Sequence, residues 1–265
     1  MNLGHTFYGE PSRPLLILLH GFLANKEDWE GIIPHLIDTY YCLAIDLPGH
    51  GDTPMIKNQN DSLPNAAMFV NRFLDEKNIQ QCDLLGYSMG GRLALQVLLQ
   101  RPERFSRLIL EGSCPGLKTE EGRLERVKND GYIAKQIEKE KDVFLKYLLK
   151  WYQQPFFKSI KRKADLFEKF LELRLKNDPL QVAESLRCLG TGAQPSLWEN
   201  LKDIKSDTCL IVGCEDDKFL TFCKEMATII PSCELYIVEK CGHNVHVEQP
   251  EKHVKILKNF LKVDK

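Results

Sequence analysis

A chain of 265 residues with 43% hydrophobic content can bury a substantial core, and its formal net charge of -1 offers no electrostatic footprint for nucleic acid. Its nine cysteines are odd in number and scattered, several of them inside apolar runs (Cys42, Cys82, Cys209), so they read as reduced small hydrophobes with no metal-site spacing. The first residues lack a charged segment followed by an apolar one, and the longest apolar stretch, near Leu15, is too short to span a bilayer; a cytoplasmic protein is expected.

In chain order, Leu15 to Leu19 reads as a fully apolar strand ending in His20-Gly21-Phe22. This loop is placed to supply one backbone N–H, that of Phe22, to an oxyanion, with His20 holding the loop in place. A second strand, Tyr41 to Ile45, leads into Asp46-Leu-Pro-Gly-His50-Gly51, a turn in which Asp46 and His50 have structural roles. Next, Cys82-Asp-Leu-Leu runs into Gly86-Tyr87-Ser88-Met89-Gly90 and then into helical apolar spacing at Leu93 and Val97. The switch from strand to helix period across G-x-S-x-G marks a nucleophile elbow, with Ser88 Oγ exposed above the sheet edge. Met89, at the start of that helix, supplies the second oxyanion N–H, where the helix dipole also favours negative charge.

After the strand Leu108 to Glu111 the chain changes character. From Cys114 to about Pro195 apolar strands give way to charged helical runs such as Lys139 to Trp151 and Lys161 to Leu175. We read residues 114–195 as a helical cap inserted between two parts of one core, 1–113 and 196–265. Strands return at Thr208 to Cys214, which delivers Glu215-Asp216-Asp217, and at Leu235 to Glu239, followed by Lys240-Cys-Gly-His243. The fold class is therefore α/β, an α/β-hydrolase fold with a mostly parallel central sheet flanked by helices.

A serine hydroxyl is a poor nucleophile and a poor base until an imidazole takes its proton and a carboxylate orients the imidazole. The chain order Ser, acid, His selects Ser88, Asp216 and His243 as catalytic residues. Of the seven histidines, His5, His35 and His253 read as structural or solvated. His246 competes with His243, which is favoured by the turn at Gly242; Asp217 is the second choice for the acid, and Glu215 reads as a surface residue. Arg92 follows Ser88 by one helical turn on the same face and so faces the pocket mouth.

The chain resembles the 2-succinyl-6-hydroxy-2,4-cyclohexadiene-1-carboxylate synthase family of menaquinone and phylloquinone biosynthesis. The resemblance runs through nearly the whole length. It includes Leu19-His-Gly-Phe-Leu23, Asp46-Leu-Pro-Gly-His-Gly51 and Gly86-Tyr-Ser-Met-Gly-Gly-Arg92 among the generic motifs. It also includes Gly242-His-Asn-Val-His246, and more restrictive are the Pro-Gly-Leu turn of Glu111-Gly-Ser-Cys-Pro-Gly-Leu117, Trp151-Tyr-Gln-Gln-Pro-Phe156 and the acid motif Gly213-Cys-Glu-Asp-Asp-Lys-Phe219.

The resemblance implies a lyase on a hydrolase scaffold, without metal or organic cofactor, that eliminates pyruvate from a substrate bearing three carboxylates. It matches Arg92, Arg126 and Arg174 to the family's carboxylate-binding arginines, and Tyr87 and Trp151 to its aromatic pocket residues. By themselves Arg126 and Arg174 read as ordinary exposed cap charges, and Trp151 as a packing residue. Met89 departs from the leucine common at its position, and Asp217 from the serine that usually follows the acid. The alternative function is a serine hydrolase of esters, thioesters or carbon–carbon bonds, which shares the triad but does not need three arginines; a non-catalytic ligand-binding protein is a third. Oligomeric state is left open by the sequence.

Overall fold

The apolar residues of Leu15–Leu19 divide between two sides of a sheet. Leu16 and Leu18 join a cluster with Trp29, Ile32 and Leu257, whereas Ile17 and Leu19 join another with Leu74, Leu93 and Val97. Each of these four strand side chains is fully buried, which is worth about 1.5–3 kcal/mol apiece. Such two-sided burial is what a parallel sheet with helices on both faces requires.

The computed structural model describes residues 3–55, 62–139 and 143–261. Among them the strands are β1 (His5–Tyr8), β2 (Leu15–Leu19), β3 (Tyr41–Ile45), β4 (Cys82–Tyr87), β5 (Phe105–Glu111), β6 (Asp207–Gly213) and β7 (Cys233–Val238). They form one sheet in the order β1-β3-β2-β4-β5-β6-β7, with β1 antiparallel to β3 and every other pair parallel. Leu19 lies opposite Gly86, Tyr87 opposite Glu111, and Gly213 opposite Val238. The carboxyl ends of these strands thus share one edge, and the loops that follow them meet there.

The predicted strands agree with the observed ones to within two residues at most of their ends; β5 begins three residues earlier, at Phe105. The exception is β1, which the sequence did not signal: it has four residues, all of them only half-buried, and it takes its place by pairing His5 with Ile45. The stretch containing His35 is a single 3-10 turn, Ile33–His35, and His35 is exposed.

Helices α1 (Leu63–Glu76) and α2 (Met89–Gln100) pack on one another over one sheet face. Between β5 and β6 lie α3 (Glu120–Lys139), α4 (Phe144–Trp151), α5 (Ala164–Leu175) and α6 (Pro179–Leu189). The predicted helical run from Lys139 to Trp151 is observed as α4, and residues 140–142 lie outside the described residues. Although α3 is strongly charged, its buried residues Asp130, Ala134 and Ile137 fall on a single stripe, and that stripe packs on α6. Asp178 caps α6, its Oδ1 accepting from Leu180 N at 2.8 Å, with Pro179 in the first turn. These four helices share a third apolar cluster, including Tyr147, Tyr152, Phe170 and Leu186, which Leu23 joins from the loop after β2.

The chain closes with α7 (Asp217–Ile229), the single turn α8 (Val245–Glu248) and α9 (Pro250–Phe260). No helix among the described residues is long and apolar enough to cross a membrane.

Candidate active site

The turn from β4 to α2 is too tight for side chains on its flanks. A Cβ on Gly86 would lie 2.4 Å from Gly90 O, and one on Gly90 would lie 2.1 Å from Leu19 O. Between them Ser88 has φ 51° and ψ −108°, a strained conformation for a residue with a side chain. Ser88 N donates to Glu111 O at 2.8 Å, while Ser88 O accepts from Ser113 Oγ at 3.0 Å and Arg92 N at 3.1 Å. The hydroxyl is thereby held clear of the backbone network.

Ser88 Oγ lies 2.9 Å from His243 Nε2, and His243 Nδ1 lies 2.5 Å from Asp216 Oδ2. Because an ionised carboxylate only accepts, Nδ1 carries the proton and Nε2 offers its lone pair to the serine. Asp216 is fully buried and also caps α7, its Oδ1 accepting from Phe219 N at 3.4 Å. One carboxylate oxygen therefore anchors a helix while the other orients the imidazole. The ring of His243 is enclosed by Phe156, Phe157 and Phe219, with centroids 5.2, 5.7 and 4.5 Å away. Asp217 is exposed, and Glu215 pairs with Arg162 at 2.8 Å.

The loop after β2 is pinned from several sides. Leu47 N donates to His20 Nε2 at 2.9 Å, so His20 Nδ1 carries the proton it shares with Gly21 O at 2.8 Å. Leu23 N donates to His50 Nε2 at 3.1 Å, and Asn177 Nδ2 to Leu23 O at 2.7 Å. Burial draws both histidines down, His50 to about 3, so they stay neutral as hydrogen-bond posts. Asp46 accepts from Lys26 N at 2.6 Å and from Asp52 N at 2.9 Å. This scaffold brings Phe22 to the pocket, beside Ser88 and Met89.

The pocket lies between the sheet edge and the inserted helices, and Arg92, Arg126, Tyr87 and Trp151 all line it. Arg92 is buried, with Nη1 donating to Leu189 O at 2.8 Å and to Gln194 Oε1 at 2.5 Å. Burial draws its guanidinium down to about 10, which leaves it charged at neutral pH. Arg126 Nε donates to Asp130 Oδ1 at 2.7 Å. Tyr87 accepts from Asn244 Nδ2 at 2.6 Å, and Trp151 meets Phe22 edge to face at 5.3 Å.

Arg174 is elsewhere, a correction to the expectation that it lines the pocket. It is 1% exposed, its Nη1 lies 2.6 Å from Asp28 Oδ1, and its guanidinium carbon stacks 3.5 Å from the Phe170 ring centroid. A guanidinium taken this deep needs a buried carboxylate beside it, and the loop after β2 supplies one. The residue that sequence reasoning missed is Lys218, which reaches the same pocket from the first turn of α7. Its signal in the sequence is the Asp217-Lys218-Phe219 run directly after the acid.

His246 belongs to the ionic cluster beneath the site. Its Nδ1 lies 2.8 Å from Glu111 Oε1 and its Nε2 3.2 Å from Asp28 Oδ2, and His253 Nε2 lies 3.0 Å from Glu111 Oε2. Burial opposes its charge, but Glu111 and Asp28 outweigh burial and raise it to about 9. Its folded value lies above its unfolded one, so its stabilisation is complete below about pH 6.5 and lost as pH rises through about 9. Wild-type melting temperature should therefore fall between those limits. His246→Gln should melt lower at neutral pH and show a flatter slope; equal slopes in thermal melts of the two would contradict this.

A family model described as alpha/beta hydrolase fold matches residues 14–250. A Bacillus subtilis (strain 168) relative named "Putative 2-succinyl-6-hydroxy-2,4-cyclohexadiene-1-carboxylate synthase" is 36% identical over 96% of this chain and 92% of its own. An Escherichia coli O1:K1 / APEC relative, named 2-succinyl-6-hydroxy-2,4-cyclohexadiene-1-carboxylate synthase, is 30% identical over 96% of both. A solved structure described as MenH from S. aureus superposes with a TM-score of 0.90 at 32% identity, covering 97% of each chain.

Proposed function

The chain belongs to the 2-succinyl-6-hydroxy-2,4-cyclohexadiene-1-carboxylate synthase family of the alpha/beta hydrolase fold, and from this we propose how its residues act. It is a lyase of menaquinone biosynthesis, taking a small molecule and eliminating pyruvate from 2-succinyl-5-enolpyruvyl-6-hydroxy-3-cyclohexene-1-carboxylate. The observation that carries the residue roles is the Ser88–His243–Asp216 relay opening onto a pocket that also contains Arg92 and Arg126.

In this mechanism His243, oriented by Asp216, accepts the Ser88 proton, and the serine oxygen removes the ring proton next to the succinyl ketone. Charge moves onto the ketone oxygen, where the backbone N–H groups of Phe22 and Met89 stabilise it. The electrons then pass through the ring and break the C–O bond to the enolpyruvyl group, which leaves as the enolate of pyruvate and takes up the proton held on His243, so no bond forms between Ser88 and the substrate. Arg92 and Arg126 bind substrate carboxylates, a task suited to a planar donor fork that keeps its charge. Tyr87 and Trp151 form the aromatic wall, and the segment 114–195 acts as the cap that completes the pocket.

Release of pyruvate from the enolpyruvyl substrate is the direct assay. Arg126→Ala should raise KM about tenfold, as loss of a charge-assisted hydrogen bond does. Because Asp130 is buried and loses its partner, the variant should also melt somewhat below the wild type, so KM is read at a temperature where both are folded. An unchanged KM would remove Arg126 from the binding site.

A further inference from the structure

A substrate with three carboxylates calls for three cations, and Arg174, neutralised by Asp28, is not among those lining the pocket. We propose that Lys218 is the third carboxylate-binding cation, its ammonium closing on the substrate from the α7 side of the pocket. The inference rests on the tricarboxylate reading above.

Lys218 lines the same cavity as Ser88, Arg92 and Arg126. It stands two residues after Asp216 and directly before Phe219, whose ring packs on His243. Lys218 sits at the open rim of the cavity, solvent-exposed; among the described residues it makes no hydrogen bond or ion pair, and its ammonium lies 5.5 Å from the Phe219 ring centroid. A lysine in a pocket without an acceptor is suited to a ligand that brings one.

The charge balance points the same way. Arg126 shares its charge with Asp130, and the hydrogen bonds of Arg92 among the described residues go to the neutral oxygens of Leu189 and Gln194. Of the three cations lining the pocket, Arg92 and Lys218 thus have no carboxylate partner among the described residues, while Arg126 can exchange Asp130 for the ligand. Burial, and next the charge of Arg126, pull the Lys218 ammonium below its ordinary value. An entering carboxylate relieves that repulsion, which favours the anionic ligand over a neutral one.

The test is steady-state pyruvate release by the wild type, Lys218→Ala, Lys218→Met and Lys218→Arg. Lys218→Ala should raise KM about 10- to 100-fold and leave kcat within a few-fold, because the contact is made in ground and transition states alike. Lys218→Met keeps the stem's packing and should behave like Lys218→Ala, and Lys218→Arg should recover most of the loss. Melting temperatures should match the wild type; should Lys218→Ala melt early, Lys218→Met carries the comparison. A KM within twofold of wild type in the neutral variants overturns the role of Lys218 while leaving the lyase reading intact. No pyruvate from the wild type overturns both.

Discussion

Ser88→Ala should lower kcat for pyruvate release by about 10²- to 10⁴-fold, the factor that a positioned proton-transfer group contributes, with KM nearly unchanged. The substitution deletes the one atom poised between His243 Nε2 and the pocket and leaves Arg92 and Arg126 in place. His243→Ala should fall as far, and the double variant little further, because the two groups act as one unit. Asp216→Asn is the sharper probe of orientation. Asparagine still caps α7, but its amide can donate to Nδ1, which shifts the imidazole proton to Nε2 and turns a donor toward Ser88. Its kcat should fall although the fold stays stable. Activity close to wild type in Ser88→Ala, in single-turnover pyruvate assays, would mean that another group takes the proton.

Arg174→Ala is expected to act on stability first. It leaves Asp28 buried with only His246 to balance it, and breaking a buried pair in this way costs about 3–5 kcal/mol. For a chain of this size that corresponds to a fall of roughly 6–20 °C in melting temperature. Arg174 lies in α5, and Asp28 lies in the 3-10 turn Lys26–Trp29 that follows the loop presenting Phe22, so the pair fastens the helices between β5 and β6 to the segment that would supply one oxyanion N–H. Loss of the tie should therefore also lower kcat. A residue that only gripped substrate would give the opposite pattern, a raised KM with an unchanged melt. Differential scanning calorimetry with kinetics on the same preparation separates the two.

The hydrogen-bonded series Ser88–His243–Asp216 was legible in the sequence because each part is local. Gly86, Ser88 and Gly90 are fixed by a turn that admits few residue types, and Asp216 and His243 follow apolar strands that are recognisable by themselves. The choice between His243 and His246 rested on one glycine, and the structure separates them by surroundings: aromatic rings and a serine around the first, two carboxylates around the second. Arg174 was misplaced because its partner Asp28 is far away in sequence, and no local pattern tells a paired guanidinium from a free one on a charged helix. Lys218 was passed over for the converse reason. A lysine in the first turn of a helix looks like any solvated charge until the pocket wall is seen around it. β1 escaped notice because its order comes from β3, to which it pairs, and its four residues show no period of burial.

The claim on which the rest depends is that Ser88 removes a proton and makes no bond to carbon. Intact-protein mass spectrometry of enzyme acid-quenched while pyruvate is accumulating tests it directly. The account predicts the mass of the unmodified chain at every time point; a substrate-sized increment that maps to Ser88 and turns over at the rate of pyruvate release would contradict it.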